Sequence, residues 1–279
     1  MQKILISNNQ VRAEFQPQWG GLLSALQFNL PKQNWVDAFV TESQKPVSGN
    51  GIPFFGCFLM VPFANRLFDG VAQTETGRFE FPLQLEQENL AIHGTGWDQP
   101  WDVIDHKDNQ LTMVHAWASS DSRYAFETQL HAHLQGSTLL LKLALTNLAD
   151  GILPMGMGFH PWFSDIDHSE VRFEDELTAN RESPWSKYPS PDFKGLPKTF
   201  NPALFNGLDS TFDGWNKRAQ IVLKSKGLLL EMSADGATDT LHAFVMEEND
   251  RFCLEPVSHK PGDLNRSKCQ VQPGQTITG

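Results

Sequence analysis

Two histidines in this sequence stand beside glycine or proline in patterns that could support proton transfer. His160 lies within residues 156–163 (Gly-Met-Gly-Phe-His-Pro-Trp-Phe), where glycine allows close backbone approach and proline fixes the following turn. His93 precedes Gly94 and stands four residues before Trp97. An aromatic ring beside an ionisable group offers an apolar surface for the C–H face of a sugar. The pattern indicates a carbohydrate site, although a histidine that ends a strand in an aromatic core would look the same.

A carboxylate in an unusual setting follows far downstream, at Glu255 between Leu254 and Pro256. The preceding residues are apolar, so the carboxylate is expected to lose part of its hydration. Loss of hydration raises the pKa of a carboxyl group and makes the carboxylate a better base. The alternative is a glutamate on an edge strand that faces water.

Asn65 and Arg66 lie side by side within residues 61–70 (Val-Pro-Phe-Ala-Asn-Arg-Leu-Phe-Asp-Gly). The Pro-Phe entry and the Asp-Gly turn predict that a strand ends here in a loop. Arginine offers a rigid fork of donors for hydroxyl or carboxylate oxygens. A turn-forming asparagine next to a surface arginine is the alternative interpretation.

Other chemistry has less support in the sequence. His131 and His133 have the spacing of one strand face and could chelate a metal, but Glu127 and Gln129 share that face, which is typical of a solvated sheet surface. There is no Cys-x-x-Cys pair, no phosphate-binding glycine loop and no Gly-x-Ser-x-Gly motif. We therefore expect no metal site and no covalent serine or cysteine mechanism.

The composition favours a neutral small ligand. The 279 residues carry a formal net charge of −11, which disfavours nucleic-acid binding, and the scattered Lys and Arg residues disfavour binding to anionic lipid. Three cysteines without metal-type spacing indicate a reducing compartment. The sequence shows neither a signal peptide nor an apolar run of bilayer length, so a cytoplasmic protein without membrane contact is predicted.

The elements that must position these residues are predicted to be strands. Residues 138–146 place four leucines on one face, residues 124–134 alternate in the same way, and Gln135-Gly136 between them predicts a hairpin turn. Further strands are predicted at residues 4–7, 22–28, 79–85, 103–106, 111–117, 221–224, 228–233 and 241–247, with a long surface loop at 183–202 and a turn entering a strand that stops early at 273–278. No amphipathic helical pattern of 12 or more residues is present. We predict an all-β sandwich of mostly antiparallel strands that forms a single domain over residues 1–279.

Taken in order, these motifs resemble the aldose 1-epimerase (galactose mutarotase-like) family, and the resemblance spans nearly the whole chain. The matching pieces are Gly20-Gly21, Pro62 to Arg66 with Gly70, His93-Gly94, residues 158–163, Asp209 with Phe212, Leu254 to Pro256 and Pro273-Gly274. Thr95 stands where the family commonly has a second glycine after the histidine. The resemblance implies a large β-sandwich whose concave sheet holds a monosaccharide and no cofactor.

The resemblance also implies roles for individual residues. His160 would be the general acid at the ring oxygen, and Glu255 the general base at the C1 hydroxyl. Arg66 and His93 would hydrogen-bond the sugar. The remaining expected site residues are Asn65 in support of Arg66, Asp209 at a ring hydroxyl, and Trp97 or Trp162 in the pocket lining.

Three functions are compatible with this pattern. The first is anomer interconversion of a free aldose. The second is epimerisation of a sugar phosphate or another modified sugar, which would need a cluster of basic residues where the sequence offers Arg66. The third is a non-catalytic carbohydrate-binding protein, which would be expected to lose either His160 or Glu255. A glycoside hydrolase usually needs two carboxylates and would leave His160 without a role. The oligomeric state and the sugar stay open.

Overall fold

The computed structural model describes residues 3–31, 34–42, 51–121, 123–180, 192–246 and 250–279. Within these ranges the regular structure is strand, apart from single turns of 3-10 helix. The all-β prediction is therefore confirmed. The strands are β1 (Ile4–Ser7), β2 (Val11–Gln16), β3 (Leu22–Leu30), β4 (Asn34–Asp37), β5 (Cys57–Met60), β6 (Arg66–Phe68), β7 (Val71–Thr74), β8 (Gly77–Glu80), β9 (Leu90–Ile92), β10 (Asp102–Lys107), β11 (Gln110–Ala118), β12 (Ala125–Gln135), β13 (Thr138–Asn147), β14 (Leu153–Pro154), β15 (Gly158–Ser164), β16 (Ser169–Arg172), β17 (Leu177–Ala179), β18 (Gly195–Leu196), β19 (Thr199–Phe200), β20 (Asp209–Asp213), β21 (Arg218–Leu223), β22 (Leu228–Ser233), β23 (Thr240–Val245), β24 (Arg251–Val257), β25 (Gln270–Val271) and β26 (Thr276–Thr278). The 3-10 turns are Pro17–Trp19, Glu86–Glu88, Ile166–His168, Pro202–Phe205, Lys224–Lys226, Asp263–Asn265 and Ser267–Cys269.

The strands form one large sheet and several smaller ones. The large sheet has 11 strands in the order β1-β2-β3-β5-β15-β24-β23-β20-β17-β18, with β4 paired to β3. A five-stranded sheet has the order β10-β11-β12-β13-β26, and a four-stranded sheet has the order β19-β16-β21-β22. The strand pairs β14-β25, β6-β9 and β7-β8 complete the described part of the fold.

The hairpin of β12 and β13 shows how the alternating pattern becomes structure. Gln135 pairs with Thr138, so the turn consists of two residues, and its first residue, Gly136, has a φ of 58° that glycine adopts without steric cost. Phe126, Thr128 and Leu130 are buried and the residues between them are exposed, as the alternation in the sequence predicts.

The main apolar core receives side chains from both of the larger sheets. A sandwich forms because each sheet has one apolar face that must be removed from water. Members from the large sheet include Leu59, Phe163, Leu254, Ala243 and Phe212, and members from the five-stranded sheet include Leu111, Met113, Phe126, Leu143 and Leu145.

Some predicted boundaries are wrong. The strand predicted at 79–85 ends at Glu80, since Pro82 has no N–H to continue a ladder. Lys224 belongs to a 3-10 turn and not to the strand predicted at 221–224. The loop predicted at 183–202 contains β18 and β19, while its residues 183–191, like residue 247 of the predicted strand 241–247, lie outside the described residues. No helix in the described ranges is long and apolar enough to cross a membrane.

Candidate active site

A row of five side chains crosses the large sheet from strand to strand. Phe58 on β5 pairs with His160 on β15, Glu255 on β24 pairs with His242 on β23, and His242 pairs with Thr211 on β20. We call Phe58, His160, Glu255, His242 and Thr211 the site row. Residues opposite each other on neighbouring strands share a face, so the row lies on one side of the sheet.

The register between β15 and β24 joins the Phe58–His160 pair to the Glu255–His242–Thr211 part of the row. Gly158 pairs with Val257 and Trp162 with Cys253, which puts the residue midway on each strand, His160 and Glu255, opposite one another. Alternation sends the next residues of the same strands to the other face, where they join the main core. The apolar packing of one face therefore fixes the polar row on the other.

His160 and Glu255 are in direct contact. The distance from His160 Nε2 to Glu255 Oε1 is 3.2 Å, and the two side chains are 7% and 2% exposed. The imidazole lies between two aromatic rings, with Phe58 stacked at a centroid distance of 4.3 Å and Trp162 stacked at 5.1 Å. Packing on both ring faces leaves the Nε2 edge directed at the carboxyl group.

Burial acts on this pair in opposite directions. It raises the pKa of Glu255 to about 7 and lowers the pKa of His160 to about 3, because the charged form of each group loses its hydration. Glu255 Oε2 and His160 Nδ1 are buried without a hydrogen-bond partner among the described residues. The pair thus has free hydrogen-bonding capacity on both members, as a site that receives a polar ligand requires.

A second charged network lies beside the row. Arg66 Nη2 donates to Asp209 Oδ2 at 2.8 Å, and His242 Nε2 lies 3.0 Å from Asp209 Oδ1. The other ring nitrogen of His242 lies 2.8 Å from the hydroxyl of Thr211, which orients the ring. Asp209 is buried between Arg66 and His242, and a contact to each of its two carboxylate oxygens fixes its orientation.

This network sets two further pKa values. Burial alone would raise the pKa of Asp209, but the hydrogen bond from His242 and the charge of Arg66 hold it well below its usual range. Burial alone would lower the pKa of His242, but the carboxylates of Glu255 and Asp209 outweigh this effect and raise it. The protonated form of His242 is therefore favoured most when Glu255 is ionised, and it then puts a positive charge next to that carboxylate.

The loop before β6 presents Asn65 and Arg66 to the site. Asn65 has a left-handed backbone with a φ of 62°, and its Oδ1 accepts hydrogen bonds from the Arg66 N–H at 2.9 Å and from Arg66 Nη1 at 3.3 Å. The Asn65 N–H donates to His93 Nδ1 at 3.1 Å. Burial lowers the pKa of His93 well below its usual value, so the ring is neutral and carries its proton on Nε2. The His93 ring meets His160 edge to face at 5.2 Å.

Tight backbone contacts hold these loops in place. A Cβ at Gly94 would lie 2.1 Å from the Val61 carbonyl oxygen, and the φ of Gly94 is +72°, so only glycine fits after His93. On the other side of the loop, buried His259 accepts a hydrogen bond from the Ala64 N–H at 3.1 Å, and its Nδ1 lies 2.9 Å from the Lys260 carbonyl oxygen. His259 thereby ties the Asn65–Arg66 loop to the segment that follows β24.

The residues singled out from the sequence do not all occupy the same layer. The structure brings His160, Glu255, Arg66, Asp209, Asn65, His93 and Trp162 together. Trp97 is fully buried, its ring lies 6.3 Å from that of Phe58, and its indole N–H donates to the Ile92 carbonyl at 3.1 Å. Trp97 is therefore one layer removed from His160.

Sequence reasoning missed His242, Phe58 and Thr211. His242 stands in a segment predicted as a strand, and a histidine among apolar residues there is a signal that could have been followed. Its partnership with Glu255 depends on the register between β23 and β24, which the sequence does not reveal. His131 and His133 lie on β12 of the other sheet, where their rings contact Thr112 and Asn109.

The β-sandwich built on this large antiparallel sheet is a galactose mutarotase-like fold. The family model for aldose 1-epimerase matches residues 2–279, and the chain is a member of that family. The resemblance drawn from the motifs is thereby confirmed.

Individual relatives agree with this assignment. The chain is 28% identical over 244 residues to the uncharacterized protein YphB of Escherichia coli (strain K12), covering 80% of this chain and 81% of the relative. A solved structure of a provisionally assigned aldose 1-epimerase from Escherichia coli K12 matches with a TM-score of 0.80 at 22% identity, over 99% of this chain and 96% of the other. A galactose mutarotase-like protein from Clostridium acetobutylicum matches with a TM-score of 0.74 at 17% identity, over 99% and 92% of the two chains. At these identities the structural matches establish the fold.

Proposed function

We propose that the protein interconverts the α and β anomers of a free aldose, with His160 and Glu255 as the acid–base pair. The observation that carries this proposal is their 3.2 Å contact at the centre of the site row. Anomer exchange must move one proton from the C1 hydroxyl and deliver one to the ring oxygen, so it needs one acceptor and one donor. A single buried pair supplies both.

The steps follow from these two groups. Glu255 takes the proton of the C1 hydroxyl while the bond between C1 and the ring oxygen breaks, and His160 gives a proton to that oxygen. The product is the open-chain aldehyde. Rotation about the C1–C2 bond presents the other carbonyl face, and ring closure runs the same transfers in reverse. Each positioned group typically contributes about 10²–10⁴-fold to the rate.

The pair holds one proton between its two pKa values, which are about 3 for His160 and about 7 for Glu255. In the sugar-free state burial favours the uncharged form, with the proton on Glu255. Transfer across the 3.2 Å contact gives the carboxylate and the imidazolium that the forward step uses. A positive charge on His242 favours the carboxylate of Glu255 but opposes the imidazolium of His160.

The surrounding groups would hold the sugar. Arg66 and Asp209 offer a donor and an acceptor for ring hydroxyls, and Asn65 keeps the arginine in place. His93 presents an Nε2–H donor. Trp162 offers an apolar ring, and its indole N–H is buried without a partner among the described residues, so it is available to a sugar hydroxyl.

Charge favours a neutral sugar over a phosphorylated one. Among the described residues around the pair, the cationic groups are Arg66 and His242, and Asp209 contacts both. A phosphate group would need additional donors that are not already paired. A non-catalytic sugar-binding protein would have no need for an acid and a base in contact.

The test is an anomerisation assay with several sugars. Optical rotation of freshly dissolved α-glucose, α-galactose and other aldoses is followed with and without protein, and proton exchange spectroscopy measures the same rate at equilibrium. We expect acceleration above the buffer rate for at least one free aldose. Acceleration confined to a sugar 6-phosphate would replace the substrate class, and no acceleration with any aldose would overturn the proposal in favour of a binding protein.

A further inference from the structure

Cys253 shares the site face of β24 with Glu255, two residues along the strand. Its cross-strand neighbour is Trp162, which stacks on His160. One donor atom each from His160, Cys253 and Glu255 lies within 4.8 Å of the other two, and all three residues are buried. The acid–base scheme uses His160 and Glu255 but gives the thiol no task.

The donor set has the chemistry of a zinc site. Imidazole nitrogen, thiolate sulfur and carboxylate oxygen are the protein ligands that Zn²⁺ prefers. Tetrahedral zinc places such donors about 3.4–3.6 Å apart, given bond lengths of about 2.0–2.3 Å. The pair distance of 3.2 Å and the common limit of 4.8 Å show that side-chain shifts of about an ångström would close this geometry.

Unused hydrogen-bonding capacity is a second, independent observation. Glu255 Oε2 is buried without a partner among the described residues, so this oxygen can bind an ion without losing a hydrogen bond of its own. The aromatic rings of Phe58 and Trp162 hold the imidazole in place, with its Nε2 toward Glu255.

We propose that His160, Cys253 and Glu255 form a binding site for Zn²⁺ or a similar thiophilic divalent cation, and that the bound ion inhibits anomerisation. The inhibitory part rests on the proposed function, because the ion would occupy the acid and the base at once. On binding, the thiol of Cys253 releases its proton to solvent, and so does the His160–Glu255 pair where it holds one. The resulting carboxylate and thiolate balance the charge of the ion. Three protein ligands leave the fourth tetrahedral position to water or to a sugar hydroxyl.

The neighbouring charges limit the affinity without preventing binding. Arg66 and His242 are cationic, but Asp209 lies between them and contacts both. A hard cation such as Mg²⁺ gains little from a thiolate and an imidazole and would not compensate this repulsion. Selectivity for thiophilic ions is therefore part of the proposal.

Cobalt(II) provides a direct test of the site that does not depend on activity. Untagged full-length protein is titrated with Co²⁺, and cysteine ligation is read from the cobalt–thiolate charge-transfer absorption. We expect this band in the wild type and in Cys57→Ala, whose cysteine lies on the core face of β5, and its loss in Cys253→Ala. No band in the wild type, or a band that survives in Cys253→Ala, would overturn the site.

Zinc inhibition is measured separately on the same variants. Cys253→Ala is expected to raise the zinc concentration for half-inhibition by at least about tenfold while Cys57→Ala leaves it unchanged. His131→Gln tests the surface histidine pair on β12 as an alternative zinc site. Inhibition that follows His131, or zinc binding with full anomerase activity, would overturn the inhibitory role. If the wild type anomerises no sugar, the cobalt band still decides the metal site.

Discussion

Along β23 and β24, one face of the large sheet is apolar throughout, whereas the opposite face also carries ionisable side chains. On β24, Leu254 lies in the main core with no exposed surface, and the next residue, Glu255, lies in the site row. On β23, Ala243 and His242 divide in the same way. A one-residue shift in the register of either strand would move its core residues to the site face and its site residues to the core face. Tight apolar packing on the core face therefore fixes the positions of the side chains in the site row.

The sharpest way to test this division is to remove the proposed base, Glu255, and keep the shape of its side chain. Glu255→Gln is expected to lower kcat by roughly 10²-fold or more, because the amide cannot accept the anomeric proton. Sugar affinity should change much less, since the lost interaction matters mainly in the transition state. Polarimetry and titration calorimetry measure the two quantities. Full activity in this variant would identify a different base.

His160→Asn removes the proposed acid, and it should lower kcat by a similar factor of roughly 10² or more. The double variant should be far less impaired than the product of the two single losses, because one ring opening uses both groups. Multiplicative losses in the same rotation assay would contradict the paired mechanism.

The adjacent core residue should show the opposite behaviour. Leu254→Ala is expected to lower the free energy of unfolding by about 2–5 kcal/mol, since it removes a fully buried side chain and leaves a cavity. Urea denaturation followed by circular dichroism gives this value. Below the transition, kcat per folded molecule should stay within a few-fold of the wild type, and a loss as large as that of Glu255→Gln would refute the division of labour between the faces.

The pH dependence of kcat/KM tests whether His242 carries a positive charge next to Glu255. The pair loses its single proton as pH rises past the pKa of Glu255, about 7, so kcat/KM is expected to fall above that pH. His242→Gln removes the positive charge that favours ionised Glu255, and the falling limb should move to higher pH by up to about one unit. A full pH profile of kcat/KM for both proteins measures the shift. A rate that rises through pH 7 would instead assign the active form to an unprotonated pair.

The smallest effect is expected at Trp162, whose ring stacks on His160. Trp162→Phe keeps a ring against His160 but loses the indole N–H, and should weaken sugar binding by about 0.5–1.5 kcal/mol. Trp97→Phe is the control, because Trp97 lies one layer away behind Phe58. Titration calorimetry measures the sugar affinity of both variants. A larger loss of affinity in Trp97→Phe than in Trp162→Phe would contradict the placement of Trp162 in the site.

The sequence predicted the parts of this site that have a local signature. His160, His93 and Glu255 were found from their glycine and proline neighbours, and the β12–β13 hairpin from alternation and a glycine turn. His242 and Thr211 could not be found in that way, since what gives them a role is the pairing of β20 with β23, two strands that are not consecutive in the chain. His259 likewise acts through a contact with Ala64 that no local pattern indicates.

The site row has a consequence for how the protein folds. Its five residues come from β5, β15, β20, β23 and β24. His242 and Glu255 lie on consecutive strands, but Phe58, His160 and Thr211 join them only when distant segments have met, whereas the β12–β13 hairpin closes across two residues. The entropy lost on closing a loop grows with its length, and folds dominated by distant contacts form slowly. Local sheet structure can therefore appear during refolding well before any catalytic competence, and recovered activity would mark the completion of the whole large sheet.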